Sequence, residues 1–154
     1  MSSPEQTWIS FTKQSGTIPP KEAAAVFSAL KPIKPEFLTR GHGEWKGGDV
    51  NTGHPIGKKL HEMKWAGKTF RSTEDVDPIV AYDQDGQRKA NLDWGQARLR
   101  EIKCEDMATA AMIYDKFPII DLFRYVSEDM VAGIMDSKEF NKDGTFYFYL
   151  TRLC

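Results

Sequence analysis

Ile119-Ile120-Asp121-Leu122-Phe123-Arg124-Tyr125-Val126 is the stretch on which the fold turns. In an extended strand, side chains alternate between faces. Ile120, Leu122, Arg124 and Val126 then share one side, and Asp121, Phe123 and Tyr125 share the other. Neither side is purely polar or purely apolar, unlike the clean alternation of an open sheet with one wet face. Mixed character on an inner face suits the lining of a cavity, so this strand argues for a closed barrel. Asp121 and Arg124 fall on opposite faces and cannot both point inward. The same mixture occurs at Met112 and Tyr114, on one side of a strand that ends at Asp115.

Around this stretch, from Lys68 onward, the chain keeps a period of two broken by turn residues, the mark of an antiparallel meander. Asp85-Gly86 sits between Ile79-Val80-Ala81 and Arg88-Lys89-Ala90, a strong hairpin signal. Asn141-Lys142-Asp143-Gly144 plays the same part before Thr145 to Leu150. Strands are predicted over 97–104, 109–114, 119–126 and 131–135. A strand at Trp45 and another at Lys68 bring the total to about seven to nine, the number expected of a barrel or sandwich.

The N-terminal 1–35 reads as a helical segment attached to a barrel domain over 36–154, the two forming one structural unit. Pro19, Pro20, Pro32 and Pro35 bracket a predicted helix over 21–30, with Ala23, Val26, Phe27 and Leu30 at helical spacing. A second helix is predicted to start near His54-Pro55, capped by Asn51 or Thr52. Its apolar face is Ile56, Leu60 and Met63, and it would lie as a lid over the barrel mouth and end near Trp65.

With 21 Lys+Arg against 22 Asp+Glu in 154 residues, the chain lacks the field that draws in a phosphate backbone, and nucleic-acid binding is not expected. The start Met-Ser-Ser-Pro-Glu has neither the basic nor the apolar run of a signal peptide. No stretch approaches the roughly 20 apolar residues of a membrane span. Cys104 and Cys154 are far apart in sequence, which offers no disulfide scaffold. These readings point to a soluble, cytoplasmic protein. There is no nucleophile elbow, Walker loop or dinucleotide fingerprint.

Gly43-Glu44-Trp45-Lys46-Gly47 resembles the G-X-W-X-G motif of the GXWXG protein family, and the segment that follows resembles the domain of unknown function that accompanies it. Further blocks in order are Thr52-Gly53-His54-Pro55, Trp65-Ala66-Gly67-Lys68-Thr69-Phe70, the run from Ala111 to Arg124, and Gly133-Ile134-Met135-Asp136. The resemblance covers residue 20 to the end. It implies a mainly β, single antiparallel lipocalin-like β-barrel, of the calycin or nitrobindin-like type, holding a small hydrophobic molecule. The sequence departs from the family pattern at Asp77, where histidine is expected before Pro78, and at Asn91-Leu92-Asp93-Trp94, where Asn-Pro is usual.

The candidate chemistry follows from what a barrel interior would desolvate. A buried carboxylate needs a donor such as Lys, Arg or Tyr, a need that is either structural or catalytic. In the catalytic reading, Asp121 or His54 is the base and Tyr114 or Lys68 the acid, acting on an enolisable or epoxide-bearing substrate. Trp45, Trp65, Arg98, Met112 and Phe123 are the candidate substrate-binding residues. Trp45 also reads as a structural plug, and His54 as a helix-cap hydrogen bond. His42, His54 and His61 lack the i, i+4 pairing of a helical zinc site, so no metal is expected. His42-Gly43-Glu44 lacks the Pro-Cys-X-X-Cys that would complete a zinc-deaminase signature. Nitrobindin-like barrels hold haem through a C-terminal histidine, and none follows His61, so no cofactor is expected. The function expected is that of a small-molecule-binding barrel working as a cofactor-independent isomerase, cyclase or lyase. The alternatives are a non-catalytic carrier of a hydrophobic ligand and an interaction module with a solid core.

Overall fold

The computed structural model describes residues 2–153; Cys154 lies outside them. Four helices, α1 (Pro4–Lys13), α2 (Pro20–Ala29), α3 (Pro35–Thr39) and α4 (Pro55–Glu62), accompany nine strands. The strands are β1 (Glu44–Asp49), β2 (Trp65–Ser72), β3 (Asp75–Tyr82), β4 (Arg88–Ala90), β5 (Ala97–Cys104), β6 (Met107–Tyr114), β7 (Ile120–Ser127), β8 (Met130–Asp136) and β9 (Phe146–Arg152). Among the described residues, no helix is long and apolar enough to cross a membrane.

Every helix opens on a proline, whose missing N–H is no loss in a first turn and whose fixed φ suits it. In α1, Ser3 and Gln6 form a reciprocal capping box, and Trp8 and Phe11 are buried. The sequence reading did not include this helix. In α4 the cap is His54, not Asn51 or Thr52: its Nδ1 accepts from the Ile56 N–H at 3.1 Å. Trp65 begins β2 and is not the end of that helix.

The strands form one antiparallel sheet in the order β2-β1-β9-β8-β7-β6-β5-β3-β4, and a further β2–β3 pairing closes it into a ring. Eight strands complete the circuit; β4 hangs outside it on β3. Closure gives β7 an inside and an outside. Asp121 and Phe123 point into the ring, where Phe123 meets Phe70 and Phe148 with ring centroids 6.0 Å apart. Arg124 and Val126 point out, under α1 and α2. That outer core joins Trp8, Phe11 and Phe27 to Val126, Ala132 and Tyr147. The Arg124 guanidinium, fully buried there, donates to the carbonyls of Leu30, Ser28 and Cys104 and lies 5.2 Å from the Phe27 ring.

Trp45 closes one end of the ring. Its indole N–H donates to the Leu38 carbonyl at 2.9 Å, and the Arg152 guanidinium lies 4.3 Å from its ring centroid. At the opposite end, α4 lays Ile56 and Leu60 against the interior core. The glycines flanking Trp45 serve contact. A Cβ on Gly47 would stand 2.4 Å from the Trp65 ring, and one on Gly43, at φ +67°, would stand 2.0 Å from the Phe70 carbonyl oxygen. Gly41 has a similar φ of +71° with nothing near it. Gly41→Ala is therefore expected to cost about 1–2 kcal/mol in urea unfolding, the penalty for the left-handed backbone alone. Gly43→Ala should cost clearly more, because β1 and β2 must part; equal losses would show that the close approach contributes nothing.

Candidate functional site

The interior is apolar except for one cluster. Lys68 on β2 and Asp121 on β7 are 2% and 1% exposed, with Lys68 Nζ 3.0 Å from Asp121 Oδ2. Lys68 also donates to the Pro78 carbonyl at 2.9 Å. Three aromatic rings surround its ammonium, with centroids 5.6 Å away for Trp65, 5.7 Å for Tyr114 and 5.3 Å for Phe148. β2 and β7 are separated by three strands in either direction around the ring, so the ion pair spans the interior.

The cluster holds hydrogen-bonding capacity it does not use. Lys68 Nζ and the Tyr114 hydroxyl both stand within bonding reach of the Asp121 carboxylate, but among the described residues neither Asp121 oxygen has a hydrogen-bond partner of good geometry. The buried Tyr114 hydroxyl is likewise poorly aligned, with the Asp121 carboxylate as its neighbour. Such groups are rare, because a buried polar atom without a partner forfeits its hydration. Burial pushes the Asp121 carboxyl above the usual range, against the pull of Lys68. Burial, together with the nearby Asp121 charge, holds the Tyr114 phenol well above its usual value.

The structure therefore brings together Asp121, Tyr114 and Lys68. Trp65, Met112 and Phe123 stand near them: Trp65 faces the ammonium, Met112 is the β6 register partner of Asp121, and Phe123 lies two residues along β7. It does not bring in the others. Arg98 is half-exposed on the outside of β5, paired with Asp115 at 2.8 Å. Trp45 is committed to Leu38 and Arg152 at the closed end. Besides capping α4, His54 has its Nε2 within 3.0 Å of the Phe140 carbonyl and 3.1 Å of the Gly144 carbonyl. The neutral tautomer protonated at Nε2 satisfies all three contacts. Asp77, where the resemblance leads us to expect histidine, takes bonds from Arg71 and Gln96.

Sequence reasoning missed Phe148, in the wall around Lys68, and Trp94, whose ring lies 6.3 Å from that of Tyr114. Phe148 was legible as one of the alternating aromatics of β9. Trp94 had no periodic signal, because it sits in a single 3-10 turn, Leu92–Trp94. Among the described residues, no three His, Cys, Asp or Glu side chains converge as metal ligands would.

Comparison with known proteins adds family but no activity. The family model described as "GXWXG protein" matches residues 25–86, and "Domain of unknown function (DUF4334)" matches 95–152. A crystal structure of a protein from Thermomonospora curvata is similar with a TM-score of 0.90 and 35% sequence identity, over 99% of this chain and 100% of that one. Among curated proteins, none matches the chain.

Two outcomes test the cluster. Lys68→Met leaves a buried carboxylate without its counter-charge and is expected to cost about 3–5 kcal/mol in urea unfolding. Lys68→Met combined with Asp121→Leu should recover most of that loss, and a double variant as unstable as the single one would deny the coupling. The second outcome concerns pH. A carboxyl raised by the fold binds its proton more tightly folded than unfolded. The stability linked to it is full below the unfolded value of about 3.9 and is lost as pH rises through the folded value. Wild type should therefore lose stability relative to Asp121→Asn as pH rises from about 4 toward 7; parallel curves would refute the raised carboxyl.

Proposed function

The chain belongs to the GXWXG family, and since no activity comes with that membership, we propose from the site itself that the protein is a cofactor-independent proton-transfer enzyme acting on a small hydrophobic carbonyl compound. The observation that carries this reading is a carboxylate, a phenol and an ammonium, all buried, with the carboxylate oxygens and the phenol lacking hydrogen-bond partners of good geometry. In the same reading the closed ring is a lipocalin-like barrel, supported by the β2–β3 pairing and by Trp45 packed under Arg152 at one end.

Asp121 is the base. Its raised carboxyl accepts a proton more readily than an ordinary aspartate once ionised. It takes the hydrogen α to the carbonyl; the C–H electron pair moves into a C=C bond as the carbonyl π pair moves onto oxygen. Tyr114, whose phenol keeps its proton throughout the working range, and Lys68 donate to that developing oxyanion. Return of the proton from Asp121 to another carbon completes an isomerisation; loss of a β-leaving group from the same enolate is an elimination. Aromatic walls exclude water, which strengthens each of these charges.

The test is deuterium uptake from D2O at the α-carbon of a panel of aryl and alicyclic ketones, followed by NMR. Wild type should accelerate exchange for at least one member. Asp121→Asn should lower that rate by about 10²–10⁴-fold. Tyr114→Phe should lower it by about 10²-fold. The rate should rise with pH to a plateau, its acid limb displaced above the ordinary carboxylate value of about 3.9. A carrier is the second reading, favoured by the fact that Lys68 is already occupied by Pro78 and Asp121. Retention of an unmodified ligand in native mass spectrometry, with no exchange in any ketone, would establish it in place of catalysis.

A further inference from the structure

A groove runs along the rim at the end opposite Trp45. It comprises two cavities of about 240 and 680 Å³ that share Phe117, Pro118, Ile119, Ser137 and Glu139. Their combined size is that of a small-molecule site. Tyr114 forms part of the wall of the larger cavity, and Trp94 part of the smaller. The groove therefore reaches the one member of the buried cluster that lies at a strand end: Tyr114 is the last residue of β6.

Three features of the rim specify an occupant. The first is an aromatic platform: Trp94 and Phe117 have ring centroids 5.3 Å apart, and Phe117 is 36% exposed, so that one face is open to a ligand. The second is charge balance. The charged residues lining the two cavities are Lys59 and Lys138 against Asp136 and Glu139, so neither sign prevails. The third is the hold on Trp94. Its turn is secured by an exposed bond from Lys116 Nζ to the Asp93 carbonyl at 2.9 Å, and Lys59 Nζ lies 5.5 Å from its ring. Such exposed contacts release at little cost, and the indole they position stands against Tyr114.

We propose that this rim groove binds the body of the substrate, and that the substrate is an uncharged molecule with a planar aromatic ring. The ring rests on Trp94 and Phe117, and its carbonyl end passes Tyr114 toward Asp121. The assignment rests on the proton-transfer reading for what lies at the inner end, but it is tested by binding alone. Asp121 and Lys68 do not line these cavities, so movement of Trp94 away from Tyr114 is part of the path inward.

The probe is N-phenyl-1-naphthylamine, an uncharged two-ring fluorophore that brightens on leaving water, titrated into the full chain. Wild type should bind it with saturation. Trp94→Ala and the exposed Phe117→Glu should each weaken binding by about tenfold or more, in line with the loss of a buried aromatic contact. Phe37→Ala, at the Trp45 end, should bind as wild type does; circular dichroism verifies that each variant is folded. The sulfonated analogue, 8-anilinonaphthalene-1-sulfonate, should bind more weakly, and tighter binding would overturn the uncharged assignment. Unaltered binding by both rim variants, or equal loss in Phe37→Ala, would overturn the groove itself. If those rim variants bind as wild type while Asp121→Asn abolishes deuterium exchange, the groove fails and the chemistry stands. If the rim variants lose the probe and no ketone exchanges, the chemistry fails and the groove stands.

Discussion

The ion pair between Lys68 and Asp121 is the constraint around which the rest of the ring is arranged. Its two strands lie on opposite sides of the circuit, so the contact is a strut through the interior, independent of any neighbouring ladder. A buried pair of this kind recovers its dehydration only when geometry and surroundings are favourable, and hydrophobic replacements are often as stable. The surroundings here are aromatic faces on three sides of the ammonium, which offer partial compensation, while the carboxylate is left with no partner of good geometry. The ring thus holds an incompletely satisfied carboxylate inside a core that otherwise excludes polarity.

That arrangement depends on β1. Of the glycines flanking Trp45, Gly43 stands where the Phe70 backbone of β2 comes too close for a side chain, and the space given up at Gly47 is filled by the Trp65 ring. Trp65 in turn faces Lys68. A five-residue pattern that in isolation specifies one strand therefore also sets the position of a wall of the buried cluster. The closed end and the polar interior are linked through two adjacent strands.

Much of this was written in the alternation of β7. The opposition of Asp121 and Arg124 on one strand followed from the period of two, and the ring places them as that period requires, one inside and one beneath α2. Strand positions followed the Gly and Asp punctuation, since left-handed backbone and side-chain caps fix turns locally. The misreadings share a cause: they concern side chains whose partners are remote in sequence. His54 meets carbonyls 86 and 90 residues away, and Trp94 meets Tyr114 across a loop. Arg98 sits near Tyr114 in register, yet alternation turns it outward to Asp115. Helix α1 was legible as well, in Ser3-Pro4-Glu5-Gln6, a capping box with proline at its first turn, followed by Trp8 and Phe11 at helical spacing.

The strand left outside the circuit bears on behaviour at high concentration. A ring has no exposed ladder except where it is left open, and β4 is where this sheet ends. It is three residues long, two of them Arg88 and Lys89, and Arg88 is turned back to the carbonyls of Ala66 and Trp45. A short, cationic terminal strand is a poor template for another chain's backbone. The same device that finishes the sheet thus discourages molecules from joining edge to edge into larger assemblies.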